Sequence, residues 1–313
     1  MSDKAQFPAE TSPSGAFVRQ EYTIRDRITA DGSSGFRAEA GRYHLYVSFA
    51  CPWAHRAIIV RALLGLEDTI SMSVVDPIRD DRGWRLPPGE PDTVGGFVFL
   101  SEAYLRTQPS FTGRYTVPCI WDRTTQRLVT NNYPDITIDF ETQFGAFCMK
   151  GAPDLYPEHL REEIDDVNAL VYRDVNNGVY KAGFATTQEA YEKAIGRLFA
   201  RLVWLEDRLA NQRFLFGNRI TEADVRLFTT LVRFDAVYYG HFKCNLRRLI
   251  DYPNLWNYSR DLFQHRGFGE TVDFDQIKRH YYMTHDAINP TRIVPKGPIV
   301  DWSTPHDRAR LSR

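Results

Sequence analysis

Cysteine is scarce in this 313-residue chain, and the little there is does not come in pairs. Cys51, Cys119, Cys148 and Cys244 lie far apart and form no CxxC or CxxH motif, which argues against both a zinc site and a disulfide framework. Net charge is nearly absent too, at −1, so nothing electrostatic favours nucleic acid or an anionic membrane as partner. No hydrophobic run approaches the length of a membrane span, and the opening residues, MSDKAQFPAETSPSG, lack the basic start and apolar stretch of a signal peptide. These absences point to a cytoplasmic protein with no metal and no tightly bound cofactor, acting on small molecules.

What is present is enough for two cores: 43% of the residues are hydrophobic and 13% aromatic. Residues 1–40 scatter Pro, Ser and Gly and read as an extended arm with little core of its own. YHLYVSF, starting at Tyr43, is rich in aromatic and β-branched residues and predicts a strand. Pro52 then suits a first helical position, and apolar residues at Ala54, Ala57, Ile58, Val60, Leu63 and Leu64 carry helical periodicity. ISMSVVDP, from Ile70, predicts a second strand, so the unit is βαβ with a parallel pair. Residues 78–110, polar and rich in Gly, Pro and Arg, read as an insertion. YTVPCIWDRTTQRLVTN, from Tyr115, predicts a hairpin around DRTTQ, and a helix follows from Asp135. A βαβ followed by ββα is an α/β, thioredoxin-like domain, placed at 41–146. From Pro157 the pattern is wholly helical, giving an all-α bundle of about four to six helices over 147–280. Thr221 and Asp224 form a capping-box pair at the start of one helix. A tail rich in Pro and Arg follows over 281–313, expected near the active site.

Cys51 stands where a strand ends and a helix begins. Helix-terminal amides and the helix dipole stabilise a thiolate there; the alternative is a small, buried, inert cysteine. Three residues on, where a dithiol protein carries its second cysteine, stands Ala54. A monothiol site forms a mixed disulfide that an outside thiol must resolve, so Cys51 requires a low-molecular-weight thiol as partner. Val117-Pro118 inside a strand suggests either a cis bond turned toward a ligand or an ordinary edge proline. Trp84 and Arg114 are the polar-tipped residues suited to an anionic ligand, or simply packing and surface residues. Tyrosines gather at Tyr180, Tyr238, Tyr239, Tyr281 and Tyr282; each offers a ring and a hydroxyl to a phenol or quinone, although most tyrosines in bundles only pack. His280 and His285 show no metal-ligand spacing and read as solvated or hydrogen-bonded histidines.

Taken in order, SFACPWAHRA, SVVDP, GW, GRYTVPCIWD, VYKAGFA, TEAD and IKRHYYMTHDAINPTRIVPKGP resemble the cytosolic glutathione transferases, and among them the Xi class, the glutathionyl-hydroquinone reductases. The resemblance implies a homodimer in which Cys51 attacks the sulfur of a glutathionyl-hydroquinone, the hydroquinone leaves, and a second thiol resolves the mixed disulfide. It places Trp84, Arg114, Val117 and Pro118 at the thiol cosubstrate, and Phe49, Trp53, Tyr180 and Tyr281 or Tyr282 at the quinone. One position departs from the pattern. Where the family reads NES before a helix, this chain has Asn132 for the acid and Tyr133 for the serine. An amide cannot pair with an ammonium group as a carboxylate does, so the cosubstrate is glutathione or another small thiol such as mycothiol or bacillithiol. Two other outcomes remain open: a general thioltransferase or dehydroascorbate-type reductase, and a non-catalytic binder of aromatic ligands.

Overall fold

The computed structural model describes residues 10–89 and 92–312; the first nine residues of the expected arm lie outside them. The chain forms two compact units, and each gathers separate stretches. Among the described residues one comprises Gln20–Pro153 with Asp273–Arg292, and the other comprises residues 10–19, Asp154–Val272 and 293–312.

The first unit is built on a four-stranded sheet of β1 (Tyr43–Val47), β2 (Ser71–Val74), β3 (Cys119–Asp122) and β4 (Arg127–Thr130), in the order β2-β1-β3-β4. Only β1 and β2 run parallel. Every residue of β1 is buried, as its run of aromatic and branched side chains demands. The crossover between β1 and β2 is α1 (Pro52–Leu64), which buries Ile58, Ile59, Val60, Leu63 and Leu64, each contributing about 1.5–3 kcal/mol. It ends on Gly65, at φ 68°. A Cβ there would sit 2.7 Å from that of Met149, so the position requires glycine for its backbone and for its neighbour.

The 78–110 stretch is more than an insertion: it contains α2 (Leu100–Thr107). Leu100, Ala103 and Tyr104 are its buried stripe, and Glu102 accepts from the Phe99 amide at 2.9 Å at its start. Eight residues within a Gly- and Pro-rich stretch are too few to make that periodicity stand out. Tyr104 then donates its hydroxyl to the Thr116 carbonyl at 2.7 Å, tying α2 to the turn that leads into β3. Upstream, Asp92 gathers the Tyr46 hydroxyl (2.9 Å) and the amides of Val94, Gly95 and Phe97, closing that loop onto the sheet.

The helix expected from Asp135 begins at Tyr133, as α3 (Tyr133–Gln143). The arm also has more core than its composition suggested. Ile24, Ile28 and Phe36 are buried, and Asp139 of α3 accepts from the Arg27 guanidinium (2.9 Å) and the Ile28 amide (3.0 Å). Those partners lie more than a hundred residues away in sequence, which local patterning cannot reveal.

The second unit holds α4 (Arg161–Val171), α5 (Gly178–Gly183), α6 (Gln188–Arg208), α7 (Glu222–Arg233) and α8 (Pro253–Gln264). A π-helical turn, Tyr172–Asn176, separates α4 from α5, and another, Phe234–Tyr238, follows α7. The chain then contributes α9 (Phe274–Thr284), capped by Asp273, to the first unit. Its last stretch is pinned within the second. Arg260 donates to the Thr304 and Pro305 carbonyls, and buried Arg308 donates to the carbonyls of Leu209 and Arg213 just beyond α6 (both 2.8 Å). A guanidinium at a helix C-terminus satisfies orphan carbonyls and complements the dipole. No helix among the described residues is long and apolar enough to cross a membrane.

Candidate active site

Cys51 is the N-cap of α1. Its backbone is extended (φ −80°, ψ 118°) and its carbonyl already accepts the His55 amide at 3.0 Å. The cysteine side chain makes no capping hydrogen bond, and the first turn carries no acidic residue. The amides of a first helical turn have no intrahelical acceptor, so the thiol is the one local group at this start that can become an anion. Its Sγ donates to the Val117 carbonyl at 3.4 Å, and the Val117-Pro118 bond is cis. The β3 entry and the α1 start, 66 residues apart, thus meet at the sulfur.

Ala54 is fully buried at the place where a resolving thiol would stand. The other cysteines are poor nucleophiles. Burial pushes the thiols of Cys119 and Cys244 far up from the ordinary range and raises that of Cys148.

One wall of the site is aromatic and cationic. Trp53, in the first turn of α1, packs on Tyr133 with ring centroids 4.7 Å apart. Arg56, also nearly inaccessible, lies over both rings, 4.8 Å from Trp53 and 5.1 Å from Tyr133. Tyr22 of the arm adds an edge contact to Tyr133 at 5.4 Å. The Tyr133 ring is therefore held against α1. The Asn132 side-chain amide donates to Asp135 at 2.6 Å, and Asp135 also faces Arg27 at 3.5 Å.

Trp84 is buried, with His280 of α9 stacked on it at 5.0 Å and 22°. His280 Nδ1 lies 2.7 Å from the Pro77 carbonyl; a carbonyl only accepts, so Nδ1 carries the proton. Arg79 covers Trp84 at 5.5 Å, while Tyr281 and His285 meet His280 edge-on. Phe49, Arg114 and Tyr282 are half-buried in the same unit. Tyr180 belongs to the second unit, among Phe17, Phe184, Tyr238 and Phe242 with Arg19 over its ring at 4.9 Å. Among the described residues no group of His, Cys, Asp or Glu is arranged to hold a metal ion.

Sequence reasoning did not single out Arg56 or His280 as parts of this site. Arg56 had a signal, a charge three residues after Trp53 on the same helix. His280 had none, because its carbonyl partner is 203 residues away.

Comparison with known proteins agrees with this geometry. The family models for the N-terminal and C-terminal domains of glutathione S-transferase match residues 50–143 and 188–261. The glutathionyl-hydroquinone reductase YqjG of Escherichia coli is 48% identical over 307 residues, covering 95% of this chain and 93% of its own length. Its glutathione-bound structure superposes with a TM-score of 0.88, covering 92% of this chain and 96% of that one. A glutathione transferase from Gordonia bronchialis is 54% identical, with a TM-score of 0.91 over 93% of this chain and 91% of its own. A Xi-class glutathione transferase from Natrialba magadii is 48% identical, with a TM-score of 0.90 over 92% and 89%. The two family-model matches and identities of about half over nearly the whole chain, on a thioredoxin-like sheet with a cysteine at the N-cap of α1 and a helical second unit, place this chain in the glutathione S-transferase family, in its Xi class.

Proposed function

We propose that this protein is a thiol-dependent reductase that removes glutathione, or an analogous small thiol, from S-conjugated hydroquinones. The observation that carries the proposal is Cys51 at an acid-free helix start, with a buried alanine instead of a second thiol. The Cys51 thiolate attacks the sulfur of the conjugate. The carbon–sulfur bond breaks, its electron pair stays on the ring and is protonated, and the hydroquinone leaves. Sulfur is oxidised to the Cys51 mixed disulfide; a second thiol attacks this and departs as the small disulfide, restoring Cys51. The identity to YqjG, a glutathionyl-hydroquinone reductase, supports this substrate class.

In this reading Trp84, Arg114, Val117, Pro118, Asn132 and Tyr133 hold the thiol, while Phe49, Trp53, Tyr180, Tyr281 and Tyr282 face the ring. The protein works as a cytoplasmic homodimer, which sedimentation would check for its assembly. The thiol need not be glutathione. Asn132 brings no carboxylate and is engaged with Asp135, which favours a thiol lacking the ammonium end of glutathione. Mycothiol and bacillithiol are the alternatives to compare in competition.

The test is mass spectrometry after incubation with glutathionyl-hydroquinone. An adduct on Cys51 that a second thiol removes, absent in Cys51→Ala, is the expected result. An unmodified Cys51 with tight quinone binding would instead indicate a non-catalytic carrier.

A further inference from the structure

The helical unit carries a cleft of about 520 Å³ lined by Arg173, Asp174, Arg197, Ala200, Arg201 and Trp204. It lies wholly within that unit, and the reaction proposed above uses none of its residues. Its geometry begins with the π-helical turn Tyr172–Asn176, which places Arg173 and Asp174 side by side; such turns recur at functional sites. Asp174 is nearly inaccessible, at 5% exposure. It accepts Nε and Nη2 of Arg173 (2.8 and 2.9 Å) and Nε and Nη2 of Arg201 (3.1 and 3.0 Å). One carboxylate therefore fixes two guanidinium planes, and Nη1 of each makes no hydrogen bond among the described residues.

Arg197 is the third cation, one turn before Arg201 on α6. It makes no hydrogen bond, ion pair or ring contact among the described residues. Like charges at i and i+4 repel; Asp174 pairs with Arg201, and no carboxylate among the described residues forms an ion pair with Arg197. Three arginines against one aspartate leave a net charge of +2 in the cleft. Lys181, whose ammonium donates to the Arg173 carbonyl at 3.3 Å, feels that field: burial first, and then the Arg197 charge, lowers its pKa. Trp204 is already approached by two cations, Arg201 at 5.0 Å and Arg208 at 5.4 Å. What is left is the Nη1 groups of Arg173 and Arg201, oriented by Asp174, and the unengaged guanidinium of Arg197, with excess positive charge beside a small residue, Ala200. That donor set matches a tetrahedral oxyanion.

We propose that this cleft binds a phosphoryl group, either free phosphate or the end of a small phosphomonoester, through Arg197 and the unused Nη1 groups of Arg173 and Arg201, with Asp174 holding the arginines in place.

The test is calorimetric titration of the full chain at constant ionic strength, once with inorganic phosphate and once with glycerol phosphate, against chloride as control. Saturable one-to-one binding is expected for phosphate and not for chloride. Arg197→Ala should weaken it about tenfold or more, in line with the loss of one charged partner, and Ala200→Glu should abolish it. Tighter binding of glycerol phosphate than of phosphate would identify an ester as the natural source, and equal binding would identify the free anion. Circular dichroism and adduct formation on Cys51 should be unchanged in both variants, which separates failure of this site from failure of the reductase reading. The proposal is overturned if phosphate shows no saturable binding up to about 10 mM, or if Arg197→Ala binds as tightly as the parent. It is also overturned if Ala200→Glu splits an oligomer in sedimentation while the parent ignores phosphate, since the cleft is then a subunit contact.

Discussion

Two helix starts in this molecule meet the same physical demand in opposite ways. At α7, Asp224 accepts the Thr221 amide (2.8 Å) and hydroxyl (3.0 Å), the Leu215 amide (2.9 Å) and the Tyr258 hydroxyl (2.8 Å), all buried. Glu222 adds a second acid to that first turn. At α1 there is no acid and no side-chain cap, only the Cys51 thiol. Both termini present unpaired amides and the positive end of a dipole. α7 neutralises its own and contributes stability; α1 leaves that role to a group that has to ionise, which is the basis of the reactivity proposed for Cys51.

The comparison breaks most directly at the sulfur. Cys51→Ser should lower turnover of a glutathionyl-hydroquinone by about 10³-fold or more and abolish the adduct. Because serine is a better N-cap than cysteine, unfolding in urea should show stability unchanged or raised by up to about 1 kcal/mol. Cys244→Ala, at a thiol pushed up by burial, should leave adduct formation intact.

Asp224→Ala should do the reverse, costing about 3 kcal/mol in urea unfolding because it strands buried donors. The protein that remains folded should still form the Cys51 adduct.

A pH test addresses both units at once. Burial lowers the imidazoles of His44, in the first unit, and His241, in the second, to about 4. A folded pKa below the unfolded 6.5 means stability is present above that value and lost as pH falls toward 4. Between pH 7 and 5 each should cost about 2 kcal/mol. Urea midpoints should fall accordingly, and His44→Gln should remove about half of the pH dependence.

The smallest effect tests the support of Trp84. His280→Leu removes both the bond to the Pro77 carbonyl and the stacked imidazole. It should raise KM for the thiol about fivefold with little change in kcat, while His280→Phe, which keeps a ring on Trp84, should fall between the two. Equal losses in both parameters would mean that His280 supports the fold rather than thiol binding.

Much of this was legible in the chain. The apolar run of Tyr43–Val47, the spacing on α1 and the Thr221/Asp224 pair each depend on residues a few positions apart. The α2 helix was not legible, because its apolar stripe is one turn long within a polar stretch. Nor was the core of the arm, where Arg27 and Ile28 depend on Asp139, nor the contact of Arg56 with the ring of Tyr133, which lies far along the chain from it.

By itself the sequence determined where a thiol meets a helix N-terminus and that no second thiol stands beside it, since helix starts and side-chain spacing are properties of neighbouring residues. The tertiary structure alone decided what surrounds that thiol. The Val117 carbonyl at Cys51, the imidazole on Trp84 and the pairing of Arg201 with Asp174 are contacts between separate segments of the chain. Packing selects such contacts, and local periodicity carries no record of them.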